Sequence, residues 1–301
     1  MKKTLIVICG PTAIGKTNVA IDVAKHLACE IISADSRQFY IETNIGTAKP
    51  DAVQLNAVKH HLINTLHIEE PYSAGRFEKD GLLILEKLFK TSDYAVMAGG
   101  SGLYIDTILY GIDDVPGSDA AIRSMLELEF KSKGIEALHN RLRIVDPEYF
   151  QDNDIMNTQR VMRAIEVSTI TGKPFSSFLK KKPANRNFKI ILIGLNTDRD
   201  KLYQRINKRV DEMIAAGLRD ECISLLNRKH LNALQTVGYK EMFAHLEGRL
   251  TFDEAVDLIK QHTRNYAKRQ LTWLRRYENL KWFEPDDLDE ILDHIKTETS
   301  N

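Results

Sequence analysis

Over the first 110 residues, short apolar runs alternate with segments whose apolar side chains recur every three or four residues. The first pattern is typical of buried β-strands and the second of helices that pack on one face. It predicts strands at residues 5–9, 30–34, 94–98 and 188–195, and helices at 18–27 and 75–89. Because strands that alternate with helices form parallel sheets, the chain is predicted to have an α/β fold, with a parallel sheet flanked by helices.

The alternation stops between residues 116 and 184, where only helical patterns occur. They cover AIRSMLELEFKSKG, IEALHNRLRIV and NTQRVMRAIEVSTITG, and a lysine-rich linker at 180–186 closes the segment. We therefore predict a core formed by residues 1–115 and 185–301, interrupted by an all-helical insertion domain at 116–184.

The end of the first strand carries a phosphate-binding sequence. GPTAIGKT matches G-x-x-x-x-G-K-[ST] and lies between a strand and a helix, as a phosphate loop requires. The candidate diphosphate- or nucleotide-binding residues are Gly10, Pro11, Thr12, Ala13, Ile14, Gly15, Lys16 and Thr17. In such a loop the backbone N–H groups face the phosphates, the lysine contacts the terminal phosphates and the threonine hydroxyl is a ligand for Mg²⁺. The motif predicts a P-loop NTPase-like core that binds a di- or triphosphate.

Two further strand ends belong to the candidate site. Asp35 leaves the second strand, and Gly99-Gly100-Ser101-Gly102 follows the strand at 94–98. Ligands of α/β proteins bind at the carboxyl ends of strands, so Asp35 is expected near the phosphates, although it could instead only cap the next helix. Many phosphate-loop ATPases carry an acidic residue at the end of a core strand, where this chain has glycines. A plain ATP hydrolase is therefore disfavoured.

Composition and charge narrow the class of protein. The 301 residues include 42 basic and 42 acidic side chains, so a net charge of zero gives no global attraction to nucleic acid. No apolar run reaches 18 residues, which predicts no membrane span. Cys9, Cys29 and Cys222 lack metal-ligand spacing and are predicted to be free thiols of a cytoplasmic protein.

Residues 263–276, TRNYAKRQLTWLRR, concentrate basic and aromatic side chains. Arg264, Lys268 and Arg275 share one stripe of the predicted helix, and Arg269 lies on the next. The segment is either an amphipathic helix with snorkelling basic side chains or a strip that contacts nucleic-acid phosphates and stacks on bases. Such a local concentration of charge in a neutral protein favours the second interpretation.

Together these segments resemble the bacterial tRNA dimethylallyltransferases, the isopentenyl-transferase family that modifies the adenosine beside the anticodon. The matching segments are GPTAIGKT (10–17), ADSRQFY (34–40), IGTAKP (45–50), HHLI (60–63), YSAGRF (72–77), GGSGLY (99–104), QRVMRAIEV (159–167), VGYKEM (237–242) and RNYAKRQLTWLRR (264–276). They span almost the whole chain in order, and their combination is far more specific than the phosphate loop alone. The resemblance implies the short form, without the C-terminal zinc finger of some eukaryotic members.

The resemblance also implies a reaction. N6 of the adenosine attacks C1 of dimethylallyl diphosphate, and diphosphate leaves with Mg²⁺ as the cofactor. The expected catalytic residues are Asp35 as the general base and Lys16, Thr17 and Arg209 at the diphosphate, with Thr17 also binding Mg²⁺; Arg205 stays open as the alternative to Arg209. Because no hydrolytic water is needed, glycines can follow the strand at 94–98.

By the same resemblance, the protein would bind the anticodon stem-loop of tRNA through both the core and the insertion. We expect a monomer, because a long RNA must be wrapped and the sequence shows no extra apolar stripe. The expected tRNA-binding residues are Asp35, Ser36, Arg37, Gln38, Ser101, Arg123, Gln159, Arg160, Val161, Met162, Arg163, Gly238, Tyr239, Lys240, Arg264, Lys268, Arg269 and Arg275. For Arg163, an internal salt bridge with Glu166 one helical turn away is the alternative.

Two other functions stay open at this point. A small-molecule or nucleotide kinase would share the fold class, the phosphate loop and a helical insertion that acts as a lid, but it gives the basic C-terminal helix no task. A nucleotide-switched RNA-binding protein would bind nucleotide and RNA without transfer chemistry. It would tolerate the substitution Asp35→Asn, whereas the transferase would lose its turnover.

Overall fold

The computed structural model describes residues 2–152, 155–179 and 184–300. The chain divides into an α/β unit, Met1–Tyr110 with Asn185–Asn301, and a helical unit, Gly111–Ala184. The helical unit begins at Gly111, where the sequence pattern placed the boundary at residue 116, because the fourth helix of the α/β unit ends at Tyr110. Residues 180–183 of the predicted lysine-rich linker lie outside the described residues.

Within the described residues, the α/β unit contains one sheet of six strands, all parallel. In chain order the strands are β1 Thr4–Cys9, β2 Ile31–Ser33, β3 His60–His61, β4 Tyr94–Gly99, β5 Lys189–Leu195 and β6 Lys281–Phe283. Their order across the sheet is β3-β2-β4-β1-β5-β6. All six residues of the central strand β1 are buried, as expected for a strand covered on both faces. The predicted parallel α/β sheet is confirmed.

Helices cover both faces of this sheet, and a separate group forms the helical unit. They are α1 Lys16–His26, α2 Ala52–Ala57, α3 Ala74–Leu88, α4 Gly102–Tyr110, α5 Ala120–Lys133, α6 Ile135–Val145, α7 Pro147–Asp152, α8 Thr158–Thr171, α9 Arg199–Ala215, α10 Leu218–Leu225, α11 Tyr239–Leu246, α12 Phe252–Leu274 and α13 Leu288–Ser300. In the described part of the chain, none of them is long and apolar enough to cross a membrane.

Alternate side chains of β1 enter two different cores, because successive residues of a strand point to opposite faces. Leu5 and Val7 pack in the core that includes α3, α4 and α11, whereas Ile6 and Ile8 pack in the core that includes α1 and α13. The three cysteines are free, and Cys9 and Cys222 are buried. The two cores fix the sheet rigidly, and its strand ends carry the candidate site.

The helical unit has a core of its own, formed by α5 to α8 around Leu126, Leu142 and Ile165. The fully buried carboxylate of Glu166 is paired inside this unit. It accepts hydrogen bonds from Arg163 at 2.9 Å and Arg123 at 3.4 Å, and from the backbone N–H of residue 119 at 2.9 Å. A buried charge with three donors is well compensated, so these contacts hold α5 and α8 together.

Candidate active site

The carboxyl ends of the neighbouring strands β1, β2 and β4 open into one cavity of about 1100 Å³. Parallel strands bring loops that are distant in sequence to the same edge of the sheet. The lining includes Thr12, Ala13, Gly15, Lys16, Thr17, Asp35, Gln38, Gly99, Gly100, Arg205, Arg209, Tyr266 and Gln270. Asp35 therefore shares a cavity with the phosphate loop, and α9, α12 and the segment at 44–55 also contribute to its wall.

The phosphate loop turns from β1 into α1 through Ala13 at φ 64° and Gly15 at φ 106°. Pro11 and Ile14 are buried, so they shape the loop from behind and do not line the cavity. A Cβ at Gly10 would lie 2.6 Å from the carbonyl oxygen of Leu195, which explains the glycine there. Of the eight predicted loop residues, Gly10, Pro11 and Ile14 thus lie outside the cavity lining.

Two cations and one carboxylate, Lys16, Arg209 and Asp35, meet in this cavity. Lys16 Nζ donates a hydrogen bond to the carbonyl oxygen of Pro11 at 2.7 Å. Burial, followed by the positive charge of Arg209, lowers the pKa of Lys16 to about 8, although Asp35 opposes the shift. Burial also lowers the pKa of Arg209, again opposed by Asp35. Two partly enclosed cations side by side form a site that an anionic ligand would stabilise.

Arg205 and Arg209 both line the cavity, one turn of α9 apart, but their partners differ. Arg209 Nη1 donates to Thr12 Oγ1 at 3.2 Å. Arg205 Nη1 donates to the carbonyl oxygen of Ile14 at 3.1 Å, and its Nη2 lies 3.7 Å from Asp286 Oδ2. Both arginines thus reach the phosphate loop, and the charge of Arg209 is one of the causes that lower the pKa of Lys16.

The segment after β2 is joined to the turn after β4. Ser36 N donates to Ser101 Oγ at 2.9 Å, and Arg37 N donates to Asp35 Oδ1 at 2.9 Å. Tyr266 hydrogen-bonds Ser101, and burial together with the charge of Asp35 raises the pKa of Tyr266 to about 12. Among the described residues, Asp35 Oδ2 has no hydrogen-bond donor, which leaves it available to take a proton from a ligand.

Gln270 of α12 connects the phosphate loop with the glycine-rich turn. Its Oε1 accepts from Thr12 N at 2.8 Å, and its Nε2 donates to the carbonyl oxygen of Gly100 at 2.9 Å. The side chain is buried. Sequence analysis missed this residue, because in YAKRQLTW the basic and aromatic neighbours carry the signal. The one available hint was a polar side chain on the buried stripe of a helix.

The GTAKP loop at 45–50 forms one rim of the cavity and is held from two sides. Gln38 Nε2 donates to the carbonyl oxygens of Thr47 and Ala48 at 3.3 and 3.2 Å. Lys49 Nζ donates to Asn64 Oδ1 at 2.5 Å and to the backbone carbonyl of Tyr40. These two side chains thus tie the loop to the segments on either side of it.

The predicted tRNA contact through VGYKEM is wrong for two of its residues. Glu221 accepts hydrogen bonds from the backbone N–H groups of residues 44–46 at 2.8–3.0 Å and from the Tyr239 hydroxyl at 2.6 Å. Tyr239 and Gly238 are buried in this packing and have no surface to offer to a ligand. Lys240 is exposed, so the tRNA contact stays a prediction for that residue alone.

The predicted contact through QRVMR must be divided in the same way. Val161 and Met162 are 0% and 1% exposed, since they pack in the core of the helical unit, and the prediction is wrong for them. Arg163 pairs with Glu166, which confirms the internal salt bridge considered as the alternative for it. Gln159 and Arg160 are exposed on α8. Arg123 Nη2 donates to Gln159 Oε1 at 2.5 Å.

The basic residues of α12 do not share one environment. Lys268 and Arg275 line a smaller cavity. Arg264 and Lys268 both lie near the ring of Tyr203. Arg269 is exposed, with its guanidinium carbon 5.8 Å from the centroid of the Tyr266 ring. Only Tyr266 and Gln270 of this helix line the large cavity.

A magnesium ion fits the large cavity only together with a phosphate ligand. Thr17 and Asp35 supply a hydroxyl and a carboxylate to the lining. No group of three or more His, Cys, Asp or Glu side chains suited to a metal is found in the described chain. Mg²⁺ is ordinarily held by one or two protein oxygens together with substrate phosphates and water, which is the donor set available here.

Comparison with known proteins assigns the family. The family model described as IPP transferase matches residues 38–277. The chain belongs to the IPP transferase family. Among its relatives, a tRNA dimethylallyltransferase of Christiangramia forsetii is 51% identical over 99% of both chains. A second one, from Flavobacterium johnsoniae, is 48% identical over 97% of both.

Solved structures of this family share the fold. A tRNA isopentenylpyrophosphate transferase from Bacillus halodurans has a TM-score of 0.71 and 36% identity, covering 99% of this chain and 96% of its own. A eukaryotic dimethylallyltransferase acting on tRNA has a TM-score of 0.80 and 25% identity, covering 95% of this chain and 75% of its own. The P-loop NTPase-like fold expected from the sequence is confirmed.

Proposed function

We propose that the protein is a tRNA dimethylallyltransferase. It transfers the dimethylallyl group of dimethylallyl diphosphate to N6 of the adenosine 3′ to the anticodon, in tRNAs that read codons beginning with U, and releases diphosphate. The family and its named relatives support this transfer over a kinase or an RNA-binding switch. The observation that carries the proposal is the meeting of Asp35, Lys16 and Arg209 in one cavity.

The cations of the cavity bind the leaving group. Lys16 and Arg209 take the diphosphate, and the N-terminus of α1, which follows the loop, favours a bound anion. Negative charge builds on the departing oxygen as the allylic C–O bond breaks, so these groups stabilise the transition state more than the bound donor. Thr17 would hold Mg²⁺, which when bound neutralises part of the diphosphate charge.

Asp35 serves the nucleophile. The lone pair of N6 forms a bond to C1 while the C1–O bond breaks, and the extra proton on nitrogen passes to Asp35 Oδ2. The adenine must leave the base stack to bring N6 this close, as for other enzymes that act on a base. Tyr266 lies beside Asp35 in the cavity wall and offers an aromatic ring next to that base.

The tRNA would be bound by cations of both units. We assign this role to the exposed or partly exposed cations Arg37, Arg123, Arg160, Lys240, Arg264, Lys268, Arg269 and Arg275, together with the neutral polar residues Ser36, Gln38, Ser101 and Gln159. We further propose that the protein acts as a monomer. A tRNA substrate supports a cytoplasmic location.

A direct assay tests the proposal. Purified protein and Mg²⁺ are incubated with an unmodified tRNA that has adenosine 3′ to its anticodon, together with either dimethylallyl diphosphate or ATP. The tRNA is then digested and its nucleosides are analysed by mass spectrometry. A prenylated adenosine that forms only with the diphosphate donor supports the transferase. ATP turnover without prenylation would instead favour the kinase.

A further inference from the structure

Residues 44–50, here called the rim loop, lie outside helices and strands and form part of the wall of the large cavity. One residue of the rim loop, Ala48, lies in the left-handed region at φ 44°. A loop of this kind keeps its place only if its backbone polar groups find partners. Whatever holds the rim loop therefore also shapes the cavity. The rim-loop residues that line it are Asn44, Ile45, Ala48, Lys49 and Pro50.

Glu221 of α10 anchors the first half of the rim loop through its carboxylate. Its Oε2 accepts hydrogen bonds from the backbone N–H groups of Asn44 and Ile45 at 3.0 and 2.8 Å, and its Oε1 accepts from that of Gly46 at 3.0 Å. The Tyr239 hydroxyl donates to the same Oε1 at 2.6 Å. Hydrogen bonds to a charged acceptor are stronger than those between neutral groups, so four donors on one carboxylate make a firm anchor.

Tyr239 packs directly against the anchored backbone. A Cβ at Gly46 would lie 2.6 Å from ring carbon Cε2 of Tyr239, and the tyrosine is fully buried. Burial, followed by the negative charge of Glu221, raises the pKa of Tyr239. The hydroxyl therefore keeps its proton and remains a donor to Glu221.

The rim loop and the residue before it hold the turn that follows Asp35. Gln38 Nε2 donates to the carbonyl oxygens of residues 47 and 48 at 3.3 and 3.2 Å. Thr43 Oγ1 donates to the carbonyl oxygen of Arg37 at 3.3 Å. Inside the turn, Arg37 N donates to Asp35 Oδ1 at 2.9 Å. The position of the carboxylate at the end of β2 thus depends on the position of the rim loop.

These contacts form a continuous series from Glu221 to Asp35, although Glu221 itself does not line the cavity. We propose that Glu221 is a positioning residue for prenyl transfer: by anchoring the rim loop, it holds Asp35 where its carboxylate can take the proton from N6. The inference rests on the proposed function for the role of Asp35. The phosphate loop is held separately, by the hydrogen bond of Gln270 with Thr12 N, so Glu221 acts on the base and not on the diphosphate site.

Amide hydrogen exchange, followed by NMR, tests the placement without any substrate. In Glu221→Gln, an NH₂ group that cannot accept a hydrogen bond replaces one of the two carboxylate oxygens. Exchange should become about tenfold faster at residues 44–46 and also at the N–H of Arg37, whose acceptor is Asp35. Exchange in residues 10–17 should equal that of the unaltered protein. Faster exchange confined to residues 44–46 would mean that Glu221 only caps its own loop, and would overturn the proposal.

Steady-state kinetics test the consequence for the reaction. The kcat of Glu221→Gln for prenyl transfer should fall about tenfold or more, because a small misplacement of a reacting group has a large effect on the rate. Its affinity for diphosphate with Mg²⁺, measured by calorimetry, should be unchanged. Tyr239→Phe keeps the three backbone hydrogen bonds and should lower kcat less. An unchanged kcat, or a loss of diphosphate affinity as large as the loss of kcat, would overturn the positioning role.

Asp220→Asn is the matched control, because Asp220 is an exposed carboxylate at the neighbouring position of α10 and does not line the cavity. It should change neither the exchange at Arg37 nor kcat. Equal effects of Asp220→Asn and Glu221→Gln would assign them to the lost charge alone and overturn the proposal. If the exchange results hold but the unaltered protein prenylates nothing, the anchoring by Glu221 stands and the proposed function fails.

Discussion

Lys16 and Arg209 bring two positive charges together in a partly enclosed cavity, and Asp35 only partly compensates them. Such a cluster is costly without a ligand, because burial weakens the solvation of each charge. A diphosphate removes the repulsion on binding. On the proposed function, the same charges would then act on the leaving group, so binding and catalysis would use the same two side chains.

Asp35→Asn should lower the turnover number for prenyl transfer by about 10²-fold or more, whereas its affinity for tRNA should be unchanged. The amide keeps the size and the hydrogen bond from Arg37 N, but it cannot accept the proton from N6. Turnover is measured by nucleoside mass spectrometry and tRNA binding by filter retention. Asp22→Asn, at an exposed carboxylate of α1, is the control for the charge change. Near-normal turnover of Asp35→Asn would exclude Asp35 as the base.

The lowered pKa of Lys16 predicts that the activity depends on pH. Its pKa of about 8 in the free protein means that the charged form, which is proposed to bind the diphosphate, is lost as pH rises through that value. The kcat/KM for dimethylallyl diphosphate should therefore fall above about pH 8, since this ratio reports the free enzyme. Lys16→Arg should be less active but should lack the alkaline fall, because a guanidinium does not titrate there. An identical fall in both proteins would assign it to another group.

At the scale of elements, α12 determines how the loops of the site are placed. It contributes Gln270 between the phosphate loop and the glycine-rich turn, and Trp273 packs so closely that a side chain at Gly102 would collide with it. A side chain at Gly100 would collide with Gln270. Packing against α12 therefore requires glycine at positions 100 and 102, whether or not a ligand approaches them.

Gln270→Ala should leave the N–H of Thr12 and the carbonyl of Gly100 without partners. We expect a loss of about 1–3 kcal/mol in the free energy of unfolding, and a kcat/KM for the diphosphate donor that is lower by about tenfold or more. Chemical denaturation and steady-state kinetics measure the two effects. Gln261→Ala, at an exposed position of the same helix, should change neither. If Gln270→Ala has as little effect as Gln261→Ala, the hydrogen bonds of Gln270 have no role in placing the two loops.

At the scale of the whole molecule, the chain forms two compact units, each with its own hydrophobic core. Both tryptophans, Trp273 and Trp282, belong to the α/β unit. Tryptophan fluorescence therefore reports the unfolding of that unit, whereas circular dichroism reports the helices of both.

Diphosphate with Mg²⁺ should stabilise the unit that binds it by about 2.7 kcal/mol at a hundredfold excess over Kd. The midpoint temperature of the transition seen by fluorescence should rise. The part of the circular dichroism signal that comes from the helical unit should melt at an unchanged temperature. The experiment avoids phosphate buffer, because phosphate could bind at the same cations as the diphosphate. Sulfate at equal ionic strength is the control. Coincident transitions that move together would mean that the two units unfold as one cooperative body.

The sequence by itself determined the parallel sheet, the phosphate loop, the helical segment after residue 116 and the family, because strand periodicity and fixed motif spacing are local properties. It did not predict β3 and β6, since two or three residues carry no periodicity. Within the matched motifs it also could not separate contact residues from core residues: in QRVMR, Arg160 is exposed while Val161 and Met162 are buried.

Only the tertiary structure decided which side chains meet. It brought Arg205 and Arg209 of α9 to the same cavity as Lys16 and Asp35, and it joined Gln270 to two loops more than 150 residues away. These contacts join residues far apart in the chain, so no local pattern encodes them. The sequence set the chemistry available to this protein, and long-range packing set where that chemistry is assembled.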